Sequence, residues 1–206
     1  MRTRVFIVGL IVAACSTGSR LRAEKLPDTT RTVENRPKVK VLVQCEGRIP
    51  LDVRGVGEVT LRQLFSRIGI TIVLISRQRQ TDPGTIVLEL WDYAPRNLDR
   101  YTMGRATVGD NTRLANVYLD RVTEFAASSD PRKAGSILGY AMAHEIGHLL
   151  RDEPTHEPTG IMKAHWTGVD AQEMFVGVVA FTSADVERIF RVMSTKSPVS
   201  VRAAGE

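Results

Sequence analysis

Two cysteines in 206 residues are too few to staple this chain. Cys15 closes an export-type leader, so whether it is lipidated or removed, Cys45 is left alone and the fold must hold by its apolar core. Aromatic residues are sparse, at 6%, and the 28 Lys and Arg are mixed with 23 Asp and Glu instead of forming a basic run. Without clustered cations or interleaved aromatics the chain lacks the footprint of a nucleic-acid binder. The net charge of +5 reads as a solvated surface with weak attraction to anionic surfaces. No apolar run reaches the roughly 20 residues a membrane-spanning helix needs, and there is no internal repeat or low-complexity tract. Histidine is scarce as well: there are four, all between positions 144 and 165.

What is present is ordinary globular composition, 43% apolar and 25% charged, in a length that suits one domain with a small appendage. Met1-Arg-Thr-Arg4 is a short positive region, followed by ten apolar or small residues from Val5 to Ala14. That layout is a signal peptide, too short to remain as an anchor. Val12-Ala13-Ala14-Cys15 resembles the bacterial lipobox, which implies lipidation at Cys15 and membrane attachment through it. The other reading is a secretory signal cut a few residues later. The expected organisation is a signal over residues 1–15, a polar tether over 16–36, a folded domain over 37–195 and a disordered tail over 196–206. The protein is then exported, either as a membrane-anchored periplasmic lipoprotein or in secreted form.

Within the domain, Val39 to Cys45 is rich in β-branched residues and predicts a first strand, in which Cys45 is a buried inert thiol. Thr60 opens a helical stripe of Leu61, Leu64, Phe65 and Ile68 that ends at Gly69. Ile70 to Ile75 is a continuous apolar run, predicted as a strand covered on both faces. Asp82-Pro83-Gly84 marks a turn, and Thr85 to Tyr93 a third strand. Ala94 to Arg113 is polar and reads as irregular, while Ala115 to Val122 alternates as a fourth strand. Asp130-Pro131 is a helix start, with aspartate as N-cap and proline at the first helical position. That helix runs through Ile137, Leu138, Ala141, Met142 and Ile146 to Leu150. A last helix spans Ser183 to about Met193, with a capping-box pattern at Ser183. The order predicts an α+β fold: a mixed twisted sheet of about four strands, a backing helix, a central helix and a small C-terminal subdomain with one helix.

The last two turns of the central helix read His144-Glu145-Ile146-Gly147-His148. Residues four apart share a helix face, so the two imidazoles can grip one metal ion with Glu145 beside it as a water-activating base. Catalytic zinc takes three protein ligands and keeps one position open. The third must come from beyond the helix, which Pro154 forces to end, and His156 is the leading candidate. Glu153, Glu157, His165, Asp170 and Glu173 are the competing ligands.

The segment His144 to Met162, HEIGHLLRDEPTHEPTGIM, resembles the metzincin metallopeptidases. Their signature is HExxHxxGxxH followed by a tight turn carrying a methionine beneath the metal. The ending His-x-Pro-x-x-Ile-Met is similar to the matrixin branch, and the short step from third histidine to methionine to the archaemetzincins. The likeness covers about twenty contiguous residues and is diffuse elsewhere. It implies a zincin-like fold, with His144, His148 and His156 as Zn2+ ligands, Glu145 as general base and Met162 as the turn methionine. It also implies peptide or protein substrates, hydrolysed by a zinc-activated water. The strand Ala115 to Val122 would rim the cleft and pair by its free edge with extended substrate, with Trp166 and Tyr140 shaping the cleft. Two departures stand out: Arg151 replaces the family glycine, and the third histidine comes two residues late, both absorbed by a longer Asp-Glu-Pro-Thr bend. Cys45 lacks the motif of the matrixin prodomain cysteine.

The leading expectation is therefore an exported zinc metalloendopeptidase. The alternatives are a non-catalytic zincin-fold lipoprotein used for binding or assembly, which an intact Glu145 disfavours, and a structural zinc site, which would want four protein ligands.

Overall fold

A computed structural model describes residues 36–76, 84–108 and 113–196. The leader with Cys15, the tether up to residue 35 and the tail beyond 196 lie outside the described residues. The chain is α+β, with a mixed sheet of five strands and five helices among the described residues.

The strands are β1 (Lys38–Glu46), β2 (Thr71–Ile75), β3 (Ile86–Trp91), β4 (Gly104–Val108) and β5 (Arg113–Tyr118), in the spatial order β2-β1-β3-β5-β4. All neighbours are parallel except β4, which runs antiparallel to β5 at the sheet's edge. Period-2 alternation sorts the side chains: Val39, Val41 and Val43 of β1, Ile86, Leu88 and Leu90 of β3, and Ala115 and Val117 of β5 are buried. The register aligns them in rows, Val43 beside Leu88 beside Ala115, and Leu90 beside Val117 beside Gly104. The last row leads from the core to the rim of the cleft.

The helices are α1 (Leu51–Arg67), α2 (Leu119–Ala126), α3 (Pro131–Arg151), α4 (Gly168–Phe175) and α5 (Ser183–Lys196). Helix α3 starts where the sequence predicts: the Asp130 carboxylate accepts the Arg132 N–H at 2.9 Å and Pro131 takes the first turn. From Ala134 to Arg151 it is buried on every side, as a helix at the centre of a domain must be. It lies close along α1 because three glycines remove side chains from the seam. A Cβ at Gly135 would stand 2.6 Å from that of Val56, one at Gly57 would stand 3.1 Å from Leu138, and one at Gly139 would overlap Thr60. Each glycine costs a helix roughly 0.5–1 kcal/mol against alanine, which the closer packing of Leu61, Leu64, Leu138 and Met142 offsets.

Several expectations are corrected. Helix α1 begins nine residues before Thr60, over a stretch in which Gly55 and Gly57 hide the helical signal. Strand β2 is an edge strand and mostly half-buried, not covered on both faces. The sheet has five strands instead of four, because β4 forms inside the stretch read as irregular. The fourth predicted strand ends at Tyr118, and its last residues belong to α2. Consequently β5 is paired on both sides and has no free edge. Among the described residues two helices, not one, follow α3. The cap of α5 is Thr182: its N–H and hydroxyl donate to Asp185 at 2.9 and 2.8 Å, and the Asp185 N–H returns to its hydroxyl at 3.1 Å. Cys45 is exposed, since it sits at the end of β1 where the core stops, with Arg54 donating to its sulfur at 3.4 Å.

Candidate metal centre

His144 and His148 project from one face of α3, one turn apart, and are only 9% and 8% exposed. Each is oriented by a backbone carbonyl that accepts from its Nδ1: Ile161 O at 2.8 Å for His144 and Glu153 O at 3.0 Å for His148. That bond fixes the proton on Nδ1 and leaves the Nε2 lone pair free. His156 arrives from the bend after α3. Its Nε2 lies 3.2 Å from that of His148, which in turn lies 3.1 Å from that of His144. Zn–N bonds of about 2.0–2.1 Å in a tetrahedron set ligand nitrogens ~3.3 Å apart, so the spacing fits one shared cation. These three form the cluster with metal-ligand spacing among the described residues.

Burial does the electrostatic work. It pushes His144 down to about 3, against the pull of the Ile161 carbonyl, and lowers His148 and His156 as well. Arg151 adds to the effect on all three. Neutral imidazoles are what a metal requires, so at neutral pH no proton has to leave before binding. Glu145, one residue after His144, is raised to about 8 by burial. A cation beside it would favour the charged form and bring it back toward a working base.

The turn Gly160-Ile161-Met162 lies against α3, with the Ile161 carbonyl accepting from His144 Nδ1. Gly160 has φ +76, and a Cβ there would stand 2.6 Å from the Ala180 carbonyl, so glycine is required on both counts. Met162 is fully buried under the helix, and Gly147 makes room for it, since a Cβ there would stand 2.6 Å from the Met162 sulfur. The upper rim is β4. A Cβ at Gly104 would stand 2.6 Å from Glu145 Oε1 and 2.8 Å from the Asn116 carbonyl, so the strand passes close over the carboxylate only as glycine.

The three histidines line a cleft of about 910 Å3 together with Met103, Gly104, Phe125, Glu145, His165 and Trp166. Trp166 stands edge-on to His144, with centroids 5.4 Å apart, and meets Phe125 at 6.3 Å. Tyr140 does not line the cleft. It is buried in the core and donates to the Val179 carbonyl at 3.1 Å.

Three of the four competing acids are engaged elsewhere. Glu153 and Glu157 pair with Arg151 and Arg188. Asp170 takes Lys163 at 2.7 Å and forms the capping box of α4 with Thr167. His165 lies on the cleft wall, outside the triad. Two contributors escaped the sequence reading: Gly104, hidden in a polar stretch, and Arg151, noted only as a missing glycine. The Thr167–Asp170 box was the visible signal for α4.

The arrangement defines a three-histidine site, open to a cleft and flanked by a carboxylate. Compared with protein-family models and with curated proteins, the chain matches none.

Proposed function

We propose that this protein is a zinc-dependent metalloendopeptidase of metzincin type, exported from the cytoplasm. The observation that carries the reading is the convergence of the three histidine rings at metal-ligand spacing in an open cleft that the buried Glu145 also lines. Three nitrogen donors suit zinc with a position left open.

A bound Zn2+ would supply Lewis acidity, polarising a scissile carbonyl and making a water acidic enough to attack it. The chain supplies the rest. His144 and His148 would hold the ion through Nε2, their Nδ1 protons already given to backbone carbonyls, and His156 would add the third nitrogen. Glu145 takes a proton from the attacking water and delivers it to the leaving amine. Among the described residues β4 pairs only with β5, so its outer edge offers backbone N–H and C=O groups to an extended peptide. Trp166 and Phe125 form an apolar wall for a substrate side chain.

Metal analysis of the purified protein, followed by digestion of an unstructured protein with and without chelator, tests the reading. About one zinc per chain and chelator-sensitive cleavage are expected. A metal-free preparation that still cleaves, or one that takes up no stoichiometric zinc, refutes it.

A further inference from the structure

The geometry points to Arg151 and Asp185 as a buried clamp that positions His156, making α5 part of the metal site. The inference rests on the metal reading above and adds a mechanism for delivering the third ligand. Arg151 ends α3, and Asp152 turns the chain with φ 57, outside the usual range of a side chain other than glycine. The bend that follows is polar, with Asp152, Pro154, Thr155 and His156 all exposed. Apolar packing therefore cannot fix the ring of His156 to the few tenths of an ångström that coordination demands.

Polar ties do so instead, and most of them meet at one guanidinium. Nη2 of Arg151 donates to Thr155 Oγ1 at 2.9 Å and approaches Glu157 Oε1 at 3.5 Å. Nε reaches Glu153 Oε1 at 3.4 Å. One rigid planar fork thus holds residues 153, 155 and 157, bracketing His156 on both sides. Its remaining Nη1 donates to Asp185 Oδ1 at 2.9 Å, and both side chains of that pair are 0% exposed. Asp185 is itself immobilised, because its other oxygen accepts the two Thr182 bonds that cap α5. One turn further along α5, Arg188 pairs with Glu157 and Glu153 and pulls on the same bend.

The chemistry argues for position over stability. A buried ion pair is a poor stabiliser, since desolvation consumes much of the attraction, and an apolar pair would often serve the fold as well. What an apolar pair cannot do is bond three alternate residues of an exposed bend. Lysine could not do it either, having a point charge in place of a fork.

The decisive experiment is a double-mutant cycle on metal affinity in the full chain. Zn2+ affinity is measured by competition with a chromophoric chelator, alongside the Co2+ absorption spectrum. Arg151→Met is expected to weaken zinc about 10- to 100-fold, as loss of a ligand-orienting partner does, and to shift the Co2+ bands as His156→Ala does. In the His156→Ala background it should change affinity less than about twofold, because a residue that acts through His156 has nothing left to position. If Arg151→Met does not fold, Thr155→Val replaces it: the site is exposed, and a several-fold weakening confined to chains that keep His156 supports the clamp. Equal losses with and without His156, or unchanged affinity in the single variants, overturn the clamp and leave the metal site standing. A wild-type chain that binds no metal overturns both.

Discussion

Glu145 is a carboxylate in a place that disfavours its charge. In the metal-free protein it is raised to about 8 from an ordinary 4.5, so the folded state binds its proton more tightly than the unfolded chain. Its contribution to stability is present below about pH 4.5 and is lost as pH rises through 8. Glu145→Gln is therefore expected to stabilise the metal-free protein, by an amount that grows across that window to the order of a few kcal/mol. Denaturant melts at several pH values would show it, and a pH-independent difference would remove burial as the cause. The same variant should keep stoichiometric metal and lose at least about 100-fold in peptide hydrolysis, read from kcat. The histidines act in the opposite sense. With His144 lowered to about 3, and His148 and His156 lowered too, the unfolded chain takes up protons first as pH falls below about 6.5. Metal-free stability from this source falls as pH drops from there toward 3, and triple substitution of the histidines by Gln should flatten that limb.

At the scale of elements, two close approaches set where the chemistry sits. The α1–α3 seam depends on Gly135, Gly139 and Gly57. Gly139→Val would drive a branched side chain into Thr60 and is expected to destabilise the fold by about 1–3 kcal/mol or more, seen as a lower denaturant midpoint with metal stoichiometry unchanged in the folded fraction. The β4–α3 approach depends on Gly104. Gly104→Ala sets a methyl against Glu145 Oε1 and the Asn116 carbonyl. It should lower kcat about tenfold or more while the melting temperature moves little, and an unchanged kcat would show that β4 has room to withdraw. Strand β4 also shows why elements differ in legibility. Among the described residues it pairs on one side only, and it contains a glycine required by its neighbour and buries little of its own surface, so no hydrophobic alternation announces it. Helix α2 was masked differently, because the alternation of β5 runs on through Leu119 and Asp120 while the chain turns into a helix.

For the molecule as a whole, the candidate centre draws on several elements at once. Helix α3 would supply two ligands and the bend beyond it a third, with the Met162 turn against α3 and α5 tied to the bend through Arg151. A cation binding only the folded form must stabilise all of them together, by about 2.7 kcal/mol at a free metal concentration one hundred times Kd. For a domain of this size that corresponds to a rise of about 5–10 °C in Tm. Differential scanning should record the rise with Zn2+ and its reversal by chelator. His144→Ala should abolish it, and an equal rise in that variant would place the ion elsewhere.

The sequence alone determined the ligand candidates and the helix that carries two of them, because HExxH spacing, an aspartate cap and N-terminal proline are local codes. It determined the α+β class for the same reason, since alternation and 3.6-residue periodicity are read within single elements. What only the tertiary structure decided are the roles that depend on residues far apart in the chain. Gly104 answers to Glu145, Gly147 to Met162, Arg151 to Asp185, and the rim passes from β5 to β4. Those depend on which surfaces approach within a few ångströms, and that is settled by the packing of the whole chain.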